Sequence, residues 1–385
     1  MSNNGQSVSE SRIRVAIGAD LLDGERCGMQ LALRDMLAGF ARAGFSRDMH
    51  LVHTKPFQDR TFDSFQDLPV SRRMTTGGGV YWSQLAVPRA IRRLPVDVLW
   101  WPCQILPPIR CHVPRVISVW DMAPLNYEDE NWSRLSVTVK YRWILASALK
   151  EAAHVICHSQ AIADEVRRRY GLPTARVSVV YPGLSEPFRR ATQHRTPIDP
   201  EGHILYVGTC ASRKNVRLLL DAYKLLLETG IRNRLALVIG GPKKAIAALL
   251  THAREIGIGD DRLLLPDPHG IDELIEVYRQ AAVFAFPSLY EGFGLPLIEA
   301  SALGLPVVGL RRSTIPEVLA GTGVLVEEAQ PIQFAQGITA GLAMMRERGT
   351  AISEAARTRA AQFDWDESVR SISSILRRAA AGDVS

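Results

Sequence analysis

Short apolar runs alternate with amphipathic stretches along the whole chain. The runs in "RIRVAIGAD" (Arg12 to Asp20), "MHLVHT", "DVLWWP", "RVISVWD", "HVICHS" and "RVSVVYPG" are brief and bounded by turn residues, which predicts strands. Between the first two, "MQLALRDMLAGFARAG" places apolar residues at helical spacing and closes on Gly44. Helical patterns return at 134–152 and from Gln160 to Tyr170. A second series opens with "HILYVGT" (His203 to Thr209) and continues through "LALVIGG", "RLLLPD", "VFAFPS" and "PVVGL". Repeated βα units predict parallel, doubly wound sheets. Two series predict an α/β fold of two Rossmann-like domains facing across a cleft, with ligands beyond the carboxyl ends of the strands. The proline- and charge-rich "LSEPFRRATQHRTPIDPEG" between them reads as a linker.

Two stretches of the second series carry candidate chemistry. "SLYEGFGLPLIEASALGLPVV" (Ser288 to Val308) reads as strand end, glycine turn and helix, with Pro296 in the first turn and Gly304 and Pro306 at the end. Glu291 falls in the loop and Glu299 about one turn into the helix. Free amides and a positive dipole end suit an anion such as a phosphate. Carboxylates would repel that anion but accept paired hydrogen bonds from vicinal hydroxyls. An anion with hydroxyl-rich groups on both sides is a nucleotide sugar. The plainer reading is two glutamates that stabilise a helix dipole. "YVGTCASRKNVRLLLDAYKLL" (Tyr206 to Leu226) ends a strand at Gly208 and puts Arg213 and Lys214 at a helix entrance near Asn215. Fixed cations there suit a diphosphate, so the two loops together fit a sugar diphosphate better than either fits alone.

Composition narrows the field. At 385 residues, 46% hydrophobic and 22% charged, the chain suggests about two domains with substantial cores. The five cysteines are odd in number and form no CxxC, which reads as a reduced, cytosolic protein without a disulfide framework. No apolar run reaches a membrane span, and "MSNNGQSVSESR" reads as a polar tail rather than a secretory signal. The net charge is +6, with basic pairs at Arg72–Arg73, Arg92–Arg93 and Arg189–Arg190 and a triplet at Arg167 to Arg169. These read mostly as solvated surface, with attraction to an anionic membrane or a lipid-linked acceptor as the second reading. No nucleic-acid-binding signature, P-loop or GxSxG elbow occurs. "TGGGVYW" (Thr76 to Trp82) reads as a flexible loop, and His154 and His158 share an apparent strand without zinc-ligand geometry.

On these residues the C-terminal half resembles the retaining glycosyltransferases of family four, which have the GT-B fold. The likeness rests on Gly208–Thr209 with Arg213, Lys214 and Asn215, and on "FPSLYEGFGLPLIEASALGLPVV" with its Glu-x7-Glu. "STIPEVLAGTGVLVE" (Ser313 to Glu327) and "FDWDESV" (Phe363 to Val369) also match, and "DVLWWP" and "VISVWDMAPL" match more loosely. The resemblance implies a nucleotide-diphosphate sugar donor (GDP-, UDP- or dTDP-linked) and a saccharide or lipid-linked acceptor in surface polysaccharide biosynthesis; the alternatives are a small-molecule acceptor, or a nucleotide-sugar-binding protein without catalysis. Glu299 would hold the ribose hydroxyls, and Glu291 would contact the transferred sugar. The amides of Phe293, Gly294 and Leu295, after Gly292, would face sugar and diphosphate. Arg213 and Lys214 would neutralise the leaving diphosphate, so that no metal is required. Gly28 would allow close approach after the first strand, and Asp121 would act in the cleft. The implied layout is an acceptor-side domain over 1–186, a donor domain over 187–366, and a last helix over 367–385 crossing back. The enzyme would be cytoplasmic, with peripheral membrane contact as a further expectation.

Two positions depart from the pattern. The family's His-Asp pair reads Trp120–Asp121 here. An apolar pocket prefers a methyl to a hydroxyl, so Trp120 raises the expectation of a 6-deoxy donor sugar such as rhamnose or fucose, set against a mannose-like hexose. Pro266 and Asp267 stand where relatives often carry a glycine near the nucleotide base, which leaves the base open.

Overall fold

The computed structural model describes residues 12–23, 28–54, 60–70, 78–127 and 133–383. The polar start, Cys27 and Arg72–Arg73 lie outside them. Among the described residues, thirteen strands form two all-parallel sheets. The first contains β1 (Val15–Gly18), β2 (Met49–His53), β3 (Gln66–Pro69), β4 (Val98–Trp101), β5 (Arg115–Val119), β6 (His154–Cys157) and β7 (Val177–Val179), in the order β3-β2-β1-β4-β5-β6-β7. The second contains β8 (His203–Thr209), β9 (Leu235–Gly240), β10 (Leu263–Leu264), β11 (Ala281–Phe286), β12 (Val307–Leu310) and β13 (Val324–Val326), ordered β10-β9-β8-β11-β12-β13. In both sheets the order turns back on itself beside the first strand. That reversal is the switch point where doubly wound folds open a crevice.

The central strands β1, β4, β5, β6 and β11 are buried along their whole length, as parallel strands covered on both faces must be. Each face of the first sheet has its own core. One is closed by Trp82, Val87, Ile91, Tyr141 and Leu145, the other by the helix Gly28–Arg42 together with Trp365, Val369 and Ile372 of the last helix, Trp365–Ala381. The chain therefore leaves the second domain and finishes on the first. Gly183 makes that crossing possible, because a Cβ there would lie 2.3 Å from the Trp365 amide nitrogen.

Two segments differ from their sequence reading. Residues from Gly78 are helical and not a flexible loop: Gly78–Tyr81 runs into a π-helical stretch, Trp82–Ala86, because Trp82 is drawn into the core and donates to the Val70 carbonyl at 2.7 Å. The linker contains a short helix, Glu186–Ala191, whose Phe188 is fully buried against the second sheet. Proline and charge in that segment hid one apolar anchor. No disulfide joins Cys103, Cys111, Cys157 and Cys210 to one another.

Candidate active site

The segment after β11 forms as its residues dictate. Gly294 sits at φ +92°, in the left-handed region that glycine adopts without strain. The helix Leu295–Ala302 begins on the next residue with Pro296 in its first turn. Gly292 has a different task. A Cβ on it would come within 2.0 Å of the Trp120 carbonyl oxygen and 2.9 Å of the Asp121 Cβ. This loop of the second domain thus lies directly on the end of β5 in the first, and only glycine permits the approach.

After β8 the chain makes a 3-10 turn, Ser212–Lys214, passes through Asn215 at φ +52°, and enters the helix Val216–Glu228. The turn delivers both cations to Glu291. Lys214 Nζ lies 2.6 Å from Oε1, Arg213 Nη1 lies 3.3 Å from Oε2, and Nη1 also donates to the Tyr290 carbonyl at 3.1 Å. Glu291 is only 5% exposed. Burial pushes its carboxyl up, but Lys214 and Arg213 outweigh it and hold the group below the ordinary carboxylate range. Burial, reinforced by Arg213, lowers Lys214. The causes differ: the two cations decide the direction for Glu291, whereas burial decides it for Lys214, with Arg213 adding to it and Glu291 opposing it. Burial raises Asp121 across the interface, against the pull of Arg213. The cluster thus sets two cations against Glu291 and, across the interface, against Asp121, whose charged form burial disfavours.

Glu299 stands apart from that cluster. It accepts a hydrogen bond from Tyr278 Oη at 3.0 Å, and burial raises its pKa to about 7. The remaining sequence candidates are placed as follows. Gly208 makes room for the Tyr206 ring, whose hydroxyl would lie 2.6 Å from a Cβ there. Phe293 is buried, its ring against Tyr181 and Phe363, so only its backbone is available to a ligand. Leu295 packs between the cores of the two domains. Gly28 opens the first long helix, and a Cβ there would meet no atom of the described residues within 4 Å. Trp120 is 5% exposed, donates through Nε1 to the Pro102 carbonyl at 2.7 Å, and stacks on His158 at 3.8 Å. Its indole is turned into the first domain's core and not toward the cleft. The ring of His158 bonds the Val180 carbonyl at 2.9 Å, and burial pushes its pKa down to about 4.

A set of contacts that the sequence did not announce joins the two domains around Gly292. Ser159 Oγ donates to the Gly292 carbonyl at 2.8 Å. Glu317, inside "STIPEVLAGTGVLVE", accepts from the Gln160 and Ala161 amides at 2.6 and 3.1 Å, and from Tyr181 Oη at 2.7 Å. It therefore caps the helix Gln160–Tyr170 of the other domain. Tyr290 Oη donates to Glu165 Oε2 at 2.6 Å and accepts from the Met122 amide at 3.0 Å. The signal in the sequence was weak: an acidic residue in a short helix, and a Ser with the N-cap position of a helix following it.

Both halves of the chain match glycosyltransferase models. Residues 27–186 match "Glycosyltransferase Family 4" and residues 189–359 match "Glycosyl transferases group 1". The chain belongs to the family-four glycosyltransferases of GT-B fold. A D-inositol 3-phosphate glycosyltransferase of Gordonia bronchialis is 32% identical over 244 residues, which is 60% of this chain and 53% of that protein. O-antigen chain mannosyltransferase B of Escherichia coli is 35% identical over 173 residues, 43% of each. The chain spans about half the length of the curated relatives it matches. Among solved structures, sucrose-phosphate synthase from Thermosynechococcus elongatus shares the GT-B fold at a TM-score of 0.72 and 16% identity, covering 95% of this chain and 99% of that one. Among the described residues of this glycosyltransferase, no group of three or more His, Cys, Asp or Glu could hold a metal, and no helix is long and apolar enough to cross a membrane.

Proposed function

We propose that the protein transfers a hexose, with retention of configuration, from a nucleotide-diphosphate sugar to a hydroxyl of a small polyol or sugar phosphate. The observation that carries the transfer is the Arg213–Lys214–Glu291 cluster at the carboxyl edge of β8 and β11, with its surplus positive charge. A diphosphate entering there takes over the two cations, and Glu291, freed from them, turns to the hydroxyls of the sugar. Glu299 accepts the ribose hydroxyls. In the step itself the bond between the anomeric carbon and the phosphate oxygen breaks. The acceptor oxygen bonds that carbon from the same face, and its proton passes to the departing phosphate. Arg213 and Lys214 stabilise the charge that grows on the diphosphate. Asp121 borders the same space from the first domain.

The acceptor class is supported by the D-inositol 3-phosphate glycosyltransferases, several of which are 30–36% identical to this chain. A glycan or lipid-linked saccharide of a surface polysaccharide is the second reading, supported by the O-antigen mannosyltransferase. The 6-deoxy donor loses its basis, because it needed the Trp120 ring to face the sugar. The test is a titration of UDP, GDP and dTDP, free and as hexose and 6-deoxyhexose conjugates, followed by product analysis with inositol phosphate and with a lipid-linked saccharide. The reading requires one nucleotide to bind, binding to weaken in Arg213→Ala and Glu299→Ala, and a retained glycoside of the small acceptor to form. Binding of none of the nucleotides would overturn it. Transfer to the lipid-linked saccharide alone would replace its acceptor.

A further inference from the structure

Tyr290, the residue before Glu291, belongs to the second domain in sequence and to the first in packing. Its side chain is buried in the core of the first domain that also contains Met122 and Tyr141, and its ring lies 5.7 Å from that of Tyr127. We infer that Tyr290 and Glu165 are positioning residues for the sugar transfer: the phenol, gripped by Glu165, holds the wall that carries Asp121 in register with Arg213 and Lys214. The effect on transfer rests on the reaction proposed above, whereas the contact does not. The phenol uses both of its hydrogen-bonding capacities. Its Oη donates to Glu165 Oε2 at 2.6 Å and accepts from the Met122 amide at 3.0 Å. Burial and then the Glu165 carboxylate raise the phenol pKa, so it stays a donor. Glu165, in the helix Gln160–Tyr170, is buried too. Its Oε1 accepts from Asn126 Nδ2 at 2.9 Å and from Arg169 Nη2 at 3.1 Å, and the same Nη2 donates to Asn126 Oδ1 at 2.8 Å. Those bonds fix the carboxylate and aim Oε2 at the phenol. A satisfied buried network of this kind specifies one arrangement.

Backbone bonds run from this grip to both sides of the cleft. In the second domain the Tyr290 carbonyl accepts from Arg213 Nη1 at 3.1 Å, and the Leu289 amide donates to the Arg213 carbonyl at 2.8 Å. The loop that carries the cations is therefore tied to Tyr290 on two strands of contact, and Glu291 follows it directly. In the first domain Gln104 accepts from the Trp120 amide and donates to the Asp121 carbonyl, both at 3.1 Å. The next amide, that of Met122, goes to the phenol. Gln104 thus fixes Trp120 and Asp121 to their own domain, and Tyr290 fixes the same stretch to the other. One hydroxyl stands next in sequence to Glu291 on its own side and binds the neighbour of Asp121 on the opposite side. Opening the cleft means drawing the ring out of the first domain's core and breaking both of its bonds. Closing it restores the register between Asp121 and the cations, and closure of this kind completes catalytic sites in two-domain enzymes. The groups proposed to bind the nucleotide, Arg213, Lys214 and Glu299, all belong to the second domain. Loss of the phenol hydroxyl therefore falls on turnover and spares nucleotide affinity.

The test is Tyr290→Phe in the full chain, which keeps the ring and removes the hydroxyl, with Glu165→Gln and Glu165→Leu beside it. Deuterium exchange on peptides that contain Met122 reads the contact and needs neither donor nor acceptor. In Tyr290→Phe that exchange should quicken about tenfold or more. Its kcat should fall about tenfold, while donor KM and nucleoside diphosphate Kd stay within about twofold. Glu165→Gln keeps an oxygen that can accept from the phenol, so it should recover part of both effects relative to Glu165→Leu. Unchanged exchange in Tyr290→Phe would overturn the contact. Faster exchange with unchanged kcat would overturn the positioning role. So would a rise in Kd that matches the fall in kcat, which would place Tyr290 in donor binding, or equal damage in Glu165→Gln and Glu165→Leu. A wild type that binds no nucleotide would overturn the sugar-transfer reading and the positioning role with it, and exchange at Met122 would still decide the contact.

Discussion

The surroundings of Glu291 and of Glu299 invite direct comparison. Both carboxylates belong to one loop-helix segment, eight residues apart; Glu291 is buried and Glu299 is partly exposed. Around Glu291 two cations from a loop more than seventy residues away outweigh burial and hold the group ionised. Around Glu299 the neighbours are a tyrosine hydroxyl and, further off, Asp35, and burial prevails to raise the pKa to about 7. One residue type in one segment thus acquires opposite proton affinities from its neighbours. The difference separates two tasks. In the proposed reaction one carboxylate would be exchanged against a phosphate, and the other would lose a proton before it accepts hydroxyls.

Removing the cation tests the first half most severely. Lys214→Ala leaves Glu291 buried with a single partner, and breaking a buried pair in this way costs about 3–5 kcal/mol of folding stability, read by urea denaturation. Transfer should fall by about 10²–10³-fold, as loss of a preorganised charge partner does. Equal stability and turnover would mean that the ion pair is incidental. Glu291→Gln makes the complementary change. Arg213 and Lys214 lose their competitor, so free nucleoside diphosphate should bind about tenfold more tightly by calorimetry, while turnover falls by about 10²-fold. Weaker nucleotide binding in this variant would show that Glu291 orients the cations instead of competing for them.

The second half is tested by pH. Ribose hydroxyls donate to a carboxylate, so nucleotide affinity should climb about tenfold per unit below pH 7 and level off above it, with a proton released on binding. Glu299→Gln should flatten the profile at a lower affinity. Glu291, with its lowered pKa, adds no slope in that window. The stability signs are opposite. Glu291 contributes stability that is present above the ordinary carboxylate pKa and lost as pH falls through its lower folded value. Ionising Glu299 costs stability, absent below the ordinary carboxylate pKa and complete above pH 7. A flat affinity profile in the wild type would merge the two corners into one.

The same contrast explains what could be read from the chain. Alternating βα patterns gave the central strands of both sheets, because a parallel strand covered on both faces is apolar and a crossover helix amphipathic; the mostly exposed edge strand β3 and the short β13 carried no such signal. Glu291, Glu299, Arg213 and Lys214 were legible because each stands beside a strand end with glycine or a helix entrance next to it. That Lys214 would meet Glu291, that Tyr278 would meet Glu299, and that Trp120 would turn inward were not legible. Those contacts depend on side-chain directions across the fold, for which a local period carries no information. Gly292 reads as a turn residue at the donor loop, and its close approach to the Trp120 carbonyl, which a side chain would block, had no local signal.

The smallest expected effect concerns what holds the Glu291 corner in place. Glu317 reaches from the second domain to the first two amides of the helix Gln160–Tyr170, while Ser159, just before it, holds the Gly292 carbonyl. Glu317→Ala removes a charged cap, a change worth about 1 kcal/mol. Because the cap stands at the interface, part of that loss appears as looser seating of the Gly292 loop against Trp120. Turnover should therefore drop about two- to fivefold. Nucleotide affinity should hold, since Glu299 and its helix make no contact with Glu317 among the described hydrogen bonds. Glu317→Gln, which can still accept from one amide, should recover part of the loss. A fall in nucleotide affinity equal to the fall in turnover would show that the cap supports the whole donor domain. A fall in turnover alone places its effect at the corner where the two domains meet.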